Sequence, residues 1–244
     1  MCKHIKIKLS GLSVDIEYKN EIIAGLCRDY TSEFTAPDIR VTYSKEGCEN
    51  EARISGHAGA QAEFANIYRQ IAEKLPRFSR AVAHGAVVSY NGNAYMFIAK
   101  SGTGKTTHMN LWQKYFEGVK VINGDKPILY VKNDNVYAFG TPWAGKEMLQ
   151  ENTVAPLKGI CLIKRNEKNS IKRLENREAF EAIIKQIYLP ENQNSLDLTI
   201  KIINDIIRLV PFYELSCNIS REAAECSFAA MTSDQQQKFM GSDI

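Results

Sequence analysis

The sequence lacks the cysteine and histidine spacings that hold structural zinc. Its six cysteines are scattered over 244 residues with no C-x-x-C pair, and no histidines stand at zinc-finger spacing. We therefore expect reduced thiols, as in a cytoplasmic protein. The cysteines are Cys2, Cys27, Cys48, Cys161, Cys217 and Cys226.

Long apolar runs are also absent. Residues 1–6 alternate charged and apolar side chains, without the continuous apolar core of a signal peptide. No stretch reaches the roughly 18 apolar residues that a membrane-spanning helix needs. The sequence predicts a cytoplasmic location and no membrane partner.

The chain has no strong charge of either sign. Lys and Arg number 31 against 28 Asp and Glu, a formal net charge of +3. No dense basic run occurs, and basic and aromatic residues do not interleave along the chain, so we expect no nucleic-acid partner.

The composition is that of an ordinary globular protein, 44% hydrophobic and 24% charged. Without a repeat or a low-complexity linker, one domain over residues 1–232 is the simplest organisation. We divide it into an α+β front part (1–76), a core (77–165) and a helical part (166–232), followed by a polar tail (233–244).

Hydrophobic periodicity predicts the elements of the front part. Asn20 offers a cap for an early helix, and Pro76 ends a later one. The predicted order is a strand at 5–9, its hairpin partner at 14–17, a helix at 22–27, a strand at 38–43 and a helix at 58–75.

Two asparagine-rich turns organise the core. Residues 91–93 read Asn-Gly-Asn between apolar, β-prone runs, and Asn-Gly is the strongest short hairpin signal. Residues 133–135 form a second turn. The predicted strands are 86–90, 94–99, 119–122, 128–131, 136–139 and 159–164. Helices are predicted at 177–189, 195–210 and 220–231, with a β-prone piece at 212–215. The fold class is α/β, α+β overall: a mixed sheet with hairpins, flanked by helices.

Residues 99–107 contain a phosphate-binding loop. The sequence matches G-x-x-x-x-G-K-[ST], except that Ala99 replaces the first glycine. Gly102 and Gly104 permit the curvature that points backbone N–H groups at phosphate, and Lys105 would reach the β and γ phosphates. The residues predicted to bind ATP are Ser101, Gly102, Thr103, Gly104, Lys105, Thr106 and Thr107, with the Thr106 hydroxyl on Mg²⁺.

Asp125 ends the short strand that follows the loop helix. From that position a carboxylate can serve as a Mg²⁺ ligand or as a base for an attacking hydroxyl. An ordinary turn aspartate beside Gly124 is the structural alternative.

Two further features have competing interpretations. Residues 140–146 form a loop bounded by Gly and Pro and ending in Lys146, whose cation would approach the γ-phosphate. The alternative is a plain turn with Trp143 in the core. His108, in the first turn of the loop helix, would face either phosphate or solvent, and we assign it no catalytic step.

The loop, with His84-Gly85 ahead of it and Gly124-Asp125 behind it, resembles the kinase domain of HPr kinase/phosphorylase. It also resembles the ATP-dependent phosphoenolpyruvate carboxykinases. The resemblance covers residues 81–164 and does not extend to the first 75 residues. The segment 140–146 is similar to a motif of small HPr-kinase-like proteins.

The resemblance implies roles for individual residues. His84 would point towards the phosphates and metal, and Asp125 would be the base for a serine hydroxyl. The second acid of the family's pair is Lys126 here. That replacement argues against a two-acid metal site and against reverse phosphorolysis.

Taken together, the sequence predicts an ATP- and Mg²⁺-dependent kinase whose catalytic residues are Asp125, His84, Lys105 and Lys146. Its acceptor would be a hydroxyl, on a serine of a small protein or peptide or on a small molecule such as free serine. A non-catalytic ATP-binding regulatory module is the alternative from another class. A carboxykinase is less favoured, because those enzymes are much longer chains. The family resemblance is compatible with a homo-oligomer.

Overall fold

The computed structural model describes the backbone of residues 2–240 and the side chains of residues 2–233. Residues 241–244 of the predicted polar tail therefore lie outside the described residues. The strands are β1 (Lys3–Leu9), β2 (Leu12–Tyr18), β3 (Ile39–Val41), β4 (Arg80–Val82), β5 (Ala86–Tyr90), β6 (Asn93–Ile98), β7 (Lys120–Asn123), β8 (Ile128–Lys132), β9 (Asn135–Phe139), β10 (Val154–Arg165), β11 (Ser170–Arg173) and β12 (Phe212–Cys217). The α-helices are α1 (Ile22–Leu26), α2 (Lys45–Ser55), α3 (Ala60–Lys74), α4 (Lys105–Tyr115), α5 (Asn176–Ile183), α6 (Gln193–Leu209) and α7 (Arg221–Met240).

The front part is a three-stranded sheet covered by α3. Strands β1 and β2 form the predicted hairpin, and β3 lies parallel to β2. Ile67 and Ile71 of α3 are buried in one cluster with Ile7 and Val14 of the sheet. The predicted helix at 58–75 is confirmed, since α3 buries the apolar face that its periodicity indicated.

Helix α2 was not predicted. Its buried residue is Glu51, whereas Ile54 is 71% exposed, so no apolar stripe of helical period marks it. The helix begins instead at a cap, because the Ser44 hydroxyl accepts a hydrogen bond from the Gly47 N–H at 2.9 Å.

The main sheet is mixed and centres on β10. Its strands run in the order β4-β8-β9-β10-β6-β5-β7, and β12 pairs with both β10 and β11. The first residues of β10 pair antiparallel with β9, and the later ones lie parallel to β6 and β12. The strand is longer than the predicted 159–164. Its first residues include Pro156, a residue type that argues against a strand interior. The mixed α/β fold class is confirmed.

Strand β6 is buried on both faces, which explains its continuous apolar sequence. Met96 and Ile98 belong to the core cluster that α5 and α6 cover. Tyr95 and Phe97, which alternate with them, belong to the cluster that α4 and α7 cover. The end of β6, where the phosphate loop begins, is therefore fixed from both sides.

Both asparagine turns close two-residue hairpins. Asn91 and Gly92 have φ of +47° and +74°, and Asn133 and Asp134 have φ of +48° and +54°. Tyr90 pairs with Asn93 across the first turn. These left-handed conformations match the turns that Asn and Gly favour, so the hairpin predictions are confirmed.

The helix predicted at 177–189 is too long. Helix α5 ends at Ile183, and the following residues lie beside β4. The Tyr188 N–H donates to the Val82 carbonyl at 2.9 Å, so pairing with a strand replaces the helical hydrogen bonds. The two short strands β4 and β11 were not predicted, and α7 continues beyond the expected Met231.

Within residues 2–240, no helix combines the length and the apolar character needed to cross a bilayer.

Candidate nucleotide-binding site

The phosphate loop lies between the end of β6 and the start of α4, in the order that the sequence predicted. Gly102 and Gly104 have φ of +73° and +126°, a region that side chains rarely adopt. The N–H groups of the first turn of α4 have no partner within the helix, and the helix dipole favours an anion there. The loop thus has the backbone of an anion cradle.

Arg165 braces this loop from outside, a contact that was not predicted from the sequence. At the end of β10, its Nε donates to the Thr103 carbonyl at 3.1 Å and its Nη2 to the Gly102 carbonyl at 2.5 Å. The C=O and N–H of one trans peptide point in opposite directions, so the Gly104 N–H is directed away from Arg165, as an inward-facing donor must be.

Lys105 is buried at the base of the loop. The residue is 8% exposed, and its ammonium donates a long hydrogen bond of 3.5 Å to the Ala99 carbonyl. Burial lowers the pKa of Lys105, while the nearby charge of Asp125 opposes that shift. A cation that has lost water and gained one weak acceptor is suited to bind phosphate oxygens.

Asp125 follows β7 in a turn that Asn123 fixes. The Asn123 side chain is fully buried, and its Oδ1 accepts hydrogen bonds from the N–H groups of Asp125 (2.9 Å) and Lys126 (2.7 Å). Its Nδ2 donates to the Thr141 carbonyl at 3.0 Å. This Asx turn holds the carboxylate and ties its backbone to the loop at residues 140–146. The backbone of Asp125 thus matches the turn aspartate that was the structural alternative. Its role as a Mg²⁺ ligand or as a base remains a prediction.

His84 lies directly against Asp125. Its Nε2 is 3.2 Å from Asp125 Oδ1, and both side chains remain about 30% exposed. Burial would raise the pKa of the Asp125 carboxyl, but the hydrogen bond with His84 and the charges of Lys126 and Lys105 hold it below its ordinary value. Asp125 is therefore ionised, as a metal ligand or a general base must be.

Gln186 connects His84 with the start of the phosphate loop and was not singled out from the sequence. The Gln186 carbonyl accepts from the His84 N–H at 2.6 Å. With its amide nitrogen turned inward, the side chain donates to the carbonyls of His84 (3.2 Å) and Ala99 (3.3 Å). The residue sits just past α5, so only the strand-like pairing there brings it to the site.

Lys126 is half-buried beside the aspartate. Burial lowers the pKa of Lys126, and the Asp125 carboxylate opposes that shift. Its Nζ lies 6.0 Å from the centre of the Tyr68 ring on α3. The front part of the chain therefore reaches the site through α3.

The loop at residues 140–146 packs one side chain in the core and places its backbone at the site. Trp143 is 7% exposed, stacks on Phe64 at 5.3 Å and donates to the Phe64 carbonyl at 3.2 Å. A Cβ at Gly145 would lie 3.2 Å from the Cβ of Asp125. Lys146 is exposed, and its approach to the γ-phosphate remains a prediction.

The two orientations predicted for His108 are both wrong. The residue is 2% exposed, and its Nε2 lies 2.8 Å from the Ser227 hydroxyl of α7. Trp112 Nε1 donates to the same hydroxyl at 2.8 Å. Burial lowers the pKa of His108 to about 4. His108 is thus a neutral packing residue that joins α4 to α7.

The donor set fits magnesium held together with phosphates. Thr106 and Asp125 offer a hydroxyl and a carboxylate oxygen, and Mg²⁺ usually takes one or two such protein ligands besides phosphate and water. Among the described residues, no three His, Cys, Asp or Glu side chains cluster as a metal site.

No family model matches the chain, and no curated protein matches it either. Among solved structures, the chain is similar to the HPr(Ser) kinase/phosphatase from Coxiella burnetii, with 10% identity and a TM-score of 0.36. That alignment covers 66% of this chain and 94% of the other, and describes a distant structural relationship.

Proposed function

We propose that the protein is an ATP-dependent phosphotransferase that moves the γ-phosphate of ATP to a hydroxyl. The observation that carries the proposal is the pairing of Asp125 with His84, 3.2 Å apart, where the charge of Asp125 acts on the buried Lys105 of the loop. A carboxylate beside a phosphate-binding lysine supplies the base and the charge neutralisation that phosphoryl transfer needs.

In this mechanism the acceptor hydroxyl lies between Asp125 and the γ-phosphate. A bond forms from the hydroxyl oxygen to phosphorus, the bond to the β–γ bridging oxygen breaks, and ADP leaves. The hydroxyl proton passes to Asp125 Oδ2 or Oδ1, whose position His84 and the Asn123 turn fix. Lys105 offsets charge on the transferred group, and Mg²⁺, when bound by Thr106 and Asp125, would supply further charge neutralisation.

The proposed acceptor is a serine hydroxyl of a small protein or peptide, as the family resemblance implies. A free small molecule such as serine offers the same primary hydroxyl. Lys126 stands where a second acid would be, so the proposal is limited to forward phosphorylation.

The test is a transfer assay with ATP and Mg²⁺. The protein is incubated with free serine and, separately, with the protein products of neighbouring genes, and mass spectrometry records the gain of one phosphate. We expect the wild type to modify one acceptor and Asp125→Ala to modify none. The wild type and Asp125→Ala should both bind ATP in calorimetry.

Asp134→Ala, an exposed aspartate in the β8–β9 turn, is the matched control and should keep full transfer. If the wild type binds ATP but modifies no acceptor and releases no ADP, the protein is an ATP-binding module and the phosphotransferase proposal is wrong.

A further inference from the structure

Lys126 brings a second positive charge to the proposed base. The residue is half-buried and directly follows Asp125, whose charge acts on its ammonium. Its backbone is held at both ends. The N–H donates to Asn123 Oδ1 at 2.7 Å, and the carbonyl accepts from the Thr141 hydroxyl at 2.7 Å. The turn that fixes Asp125 therefore also fixes the start of the Lys126 side chain.

The ammonium of Lys126 has no hydrogen-bonded acid of its own. Among residues 2–233, whose side chains the structure describes, no carboxylate makes an ion-pair contact or a hydrogen bond with it. Its Nζ lies 6.0 Å from the centre of the Tyr68 ring, at the outer limit of a cation–π contact. Moving an ammonium partly out of water costs free energy that a bound anion would offset. Lys126 can therefore bind an anionic group.

The phosphates of ATP have a different lysine. Lys105 is part of the phosphate loop, and its ammonium lies 3.5 Å from the Ala99 carbonyl. Lys126 instead lies against α3, which contributes no residue to the loop. A hydroxyl that reaches Asp125 brings its neighbouring groups towards Lys126, because the two residues are adjacent in one turn. The anion that Lys126 meets would then belong to the acceptor.

We infer that Lys126 binds a carboxylate of the acceptor, close to the hydroxyl that receives the phosphate. The inference rests on the proposed function and adds the charge of its substrate. A free hydroxy acid such as serine carries this carboxylate on the carbon next to its hydroxymethyl group. Within a peptide, the serine carboxylate has become a neutral amide, so an aspartate or glutamate next to the serine would supply the charge.

The wall next to Lys126 is built in advance. The ring of Tyr68 packs against Trp143 at 5.7 Å and against Tyr188 at 6.0 Å, and the Tyr188 hydroxyl donates to Glu73 at 2.7 Å. Because these contacts already order the wall, binding an acceptor there costs little side-chain entropy. The rings also exclude water, which strengthens the attraction between an ammonium and a carboxylate.

The experiment compares L-serine with L-serinamide, which has the same hydroxyl but no carboxylate. Steady-state ADP formation is measured with ATP and Mg²⁺ for the wild type, Lys126→Met and Lys126→Arg. The matched control is Lys132→Met, which removes an exposed lysine at the end of β8.

We expect the wild type to have a kcat/KM for serine about 10-fold above that for serinamide, because serinamide lacks a charge-assisted hydrogen bond. Lys126→Met should raise the KM for serine and abolish the preference, whereas Lys126→Arg and Lys132→Met should keep it. An effect of Lys126→Met on ATP or on Asp125 would change both acceptors alike. The ratio of the two therefore reports the carboxylate contact alone.

If the transfer assay modifies only a protein, the same comparison uses that protein and a variant of it. The variant replaces the acidic residue adjacent to the modified serine by its amide. We expect the wild type to prefer the acidic form and Lys126→Met to use both forms equally.

The inference is overturned if the wild type uses the acid and the amide equally, or if Lys126→Met keeps the preference. It is also overturned if the modified serine of a protein has no adjacent aspartate or glutamate. In each of these cases phosphate is still transferred, so the proposed function stands. If no acceptor is modified and no ADP forms, both proposals fail.

Discussion

His84 and Asp125 meet with Nε2 and Oδ1 3.2 Å apart, at the junction of the turn after β7 and the chain leaving β4. A backbone hydrogen bond also joins the two segments, since the Gly85 N–H donates to the Asp125 carbonyl at 2.9 Å. The pair is therefore positioned by the sheet and does not depend on two free side chains finding each other.

Replacing His84 should shift the pH dependence of transfer. In His84→Gln the Asp125 carboxyl loses a hydrogen bond to its charged form, so its pKa rises and the base becomes protonated at higher pH. We expect the acid limb of the kcat/KM profile for ADP formation to move to higher pH. His4→Gln removes a similar histidine–aspartate contact, His4 to Asp15 at 3.1 Å on β1, and should leave the profile unchanged. An unmoved acid limb in His84→Gln would show that Asp125 is not the titrating base.

Gly145→Ala should impair both stability and transfer. With φ of +75°, an alanine there is strained by about 1–2 kcal/mol, and its Cβ would press on Asp125 at 3.2 Å. Gly118→Ala carries the same strain, with φ of +84°, but meets no atom within 4 Å. Urea unfolding should show similar losses for both variants, whereas only Gly145→Ala should lose transfer, by at least 10-fold. Equal activity in the two would mean that contact with Gly145 does not set the position of Asp125.

Arg165→Met should weaken the binding of ATP and of inorganic tripolyphosphate, which has the phosphates but no nucleoside, by about 10-fold. The reason is that two charge-assisted hydrogen bonds to the loop are lost. Arg177→Met, which removes a 91% exposed arginine of α5, is the control. Calorimetry with both compounds measures the effect, and unchanged tripolyphosphate affinity in Arg165→Met would argue against bracing of the loop.

Acid should destabilise the protein through His108. Burial lowers the pKa of His108 to about 4, against about 6.5 when unfolded, so only the unfolded chain is protonated between these values. Stability from this group is complete above pH 6.5 and is lost as the pH falls towards 4, by up to about 3 kcal/mol. His108→Gln should flatten that dependence in urea unfolding at pH 7 and pH 5, measured without nucleotide. The exposed His57→Gln should retain it, and a wild-type stability independent of pH over this range would contradict the expected burial cost.

The features predicted correctly are local ones. The hairpin at Asn91-Gly92 and the strand, loop and helix around Lys105 are specified by consecutive residues, whose backbone preferences act over a few positions. The long helix α3 was predictable for the same reason, since its apolar period repeats within one segment. Helix α2 has no such period, and its local signals are its caps, Ser44 at the start and Gly56 at the end.

Predictions failed where contacts between residues far apart in the chain determine the local structure. His108 occupies a helix position that is equally consistent with solvent, phosphate or core, and only the packing of α7 against α4 buries it against Ser227. The helix predicted at 177–189 stops early because β4 offers its following residues a strand partner, which no local propensity can indicate.

The sequence by itself determined the strand, the glycine-containing loop and the helix around Lys105, and the acid at the end of the next strand, because each is specified by neighbouring residues. Only the tertiary structure decided what surrounds them. Arg165 reaches the loop because β10 lies parallel to β6, Gln186 reaches it because the chain pairs with β4, and Gly145 reaches Asp125 because Asn123 joins two loops. These contacts join residues far apart in the chain, and their geometry depends on how whole strands associate.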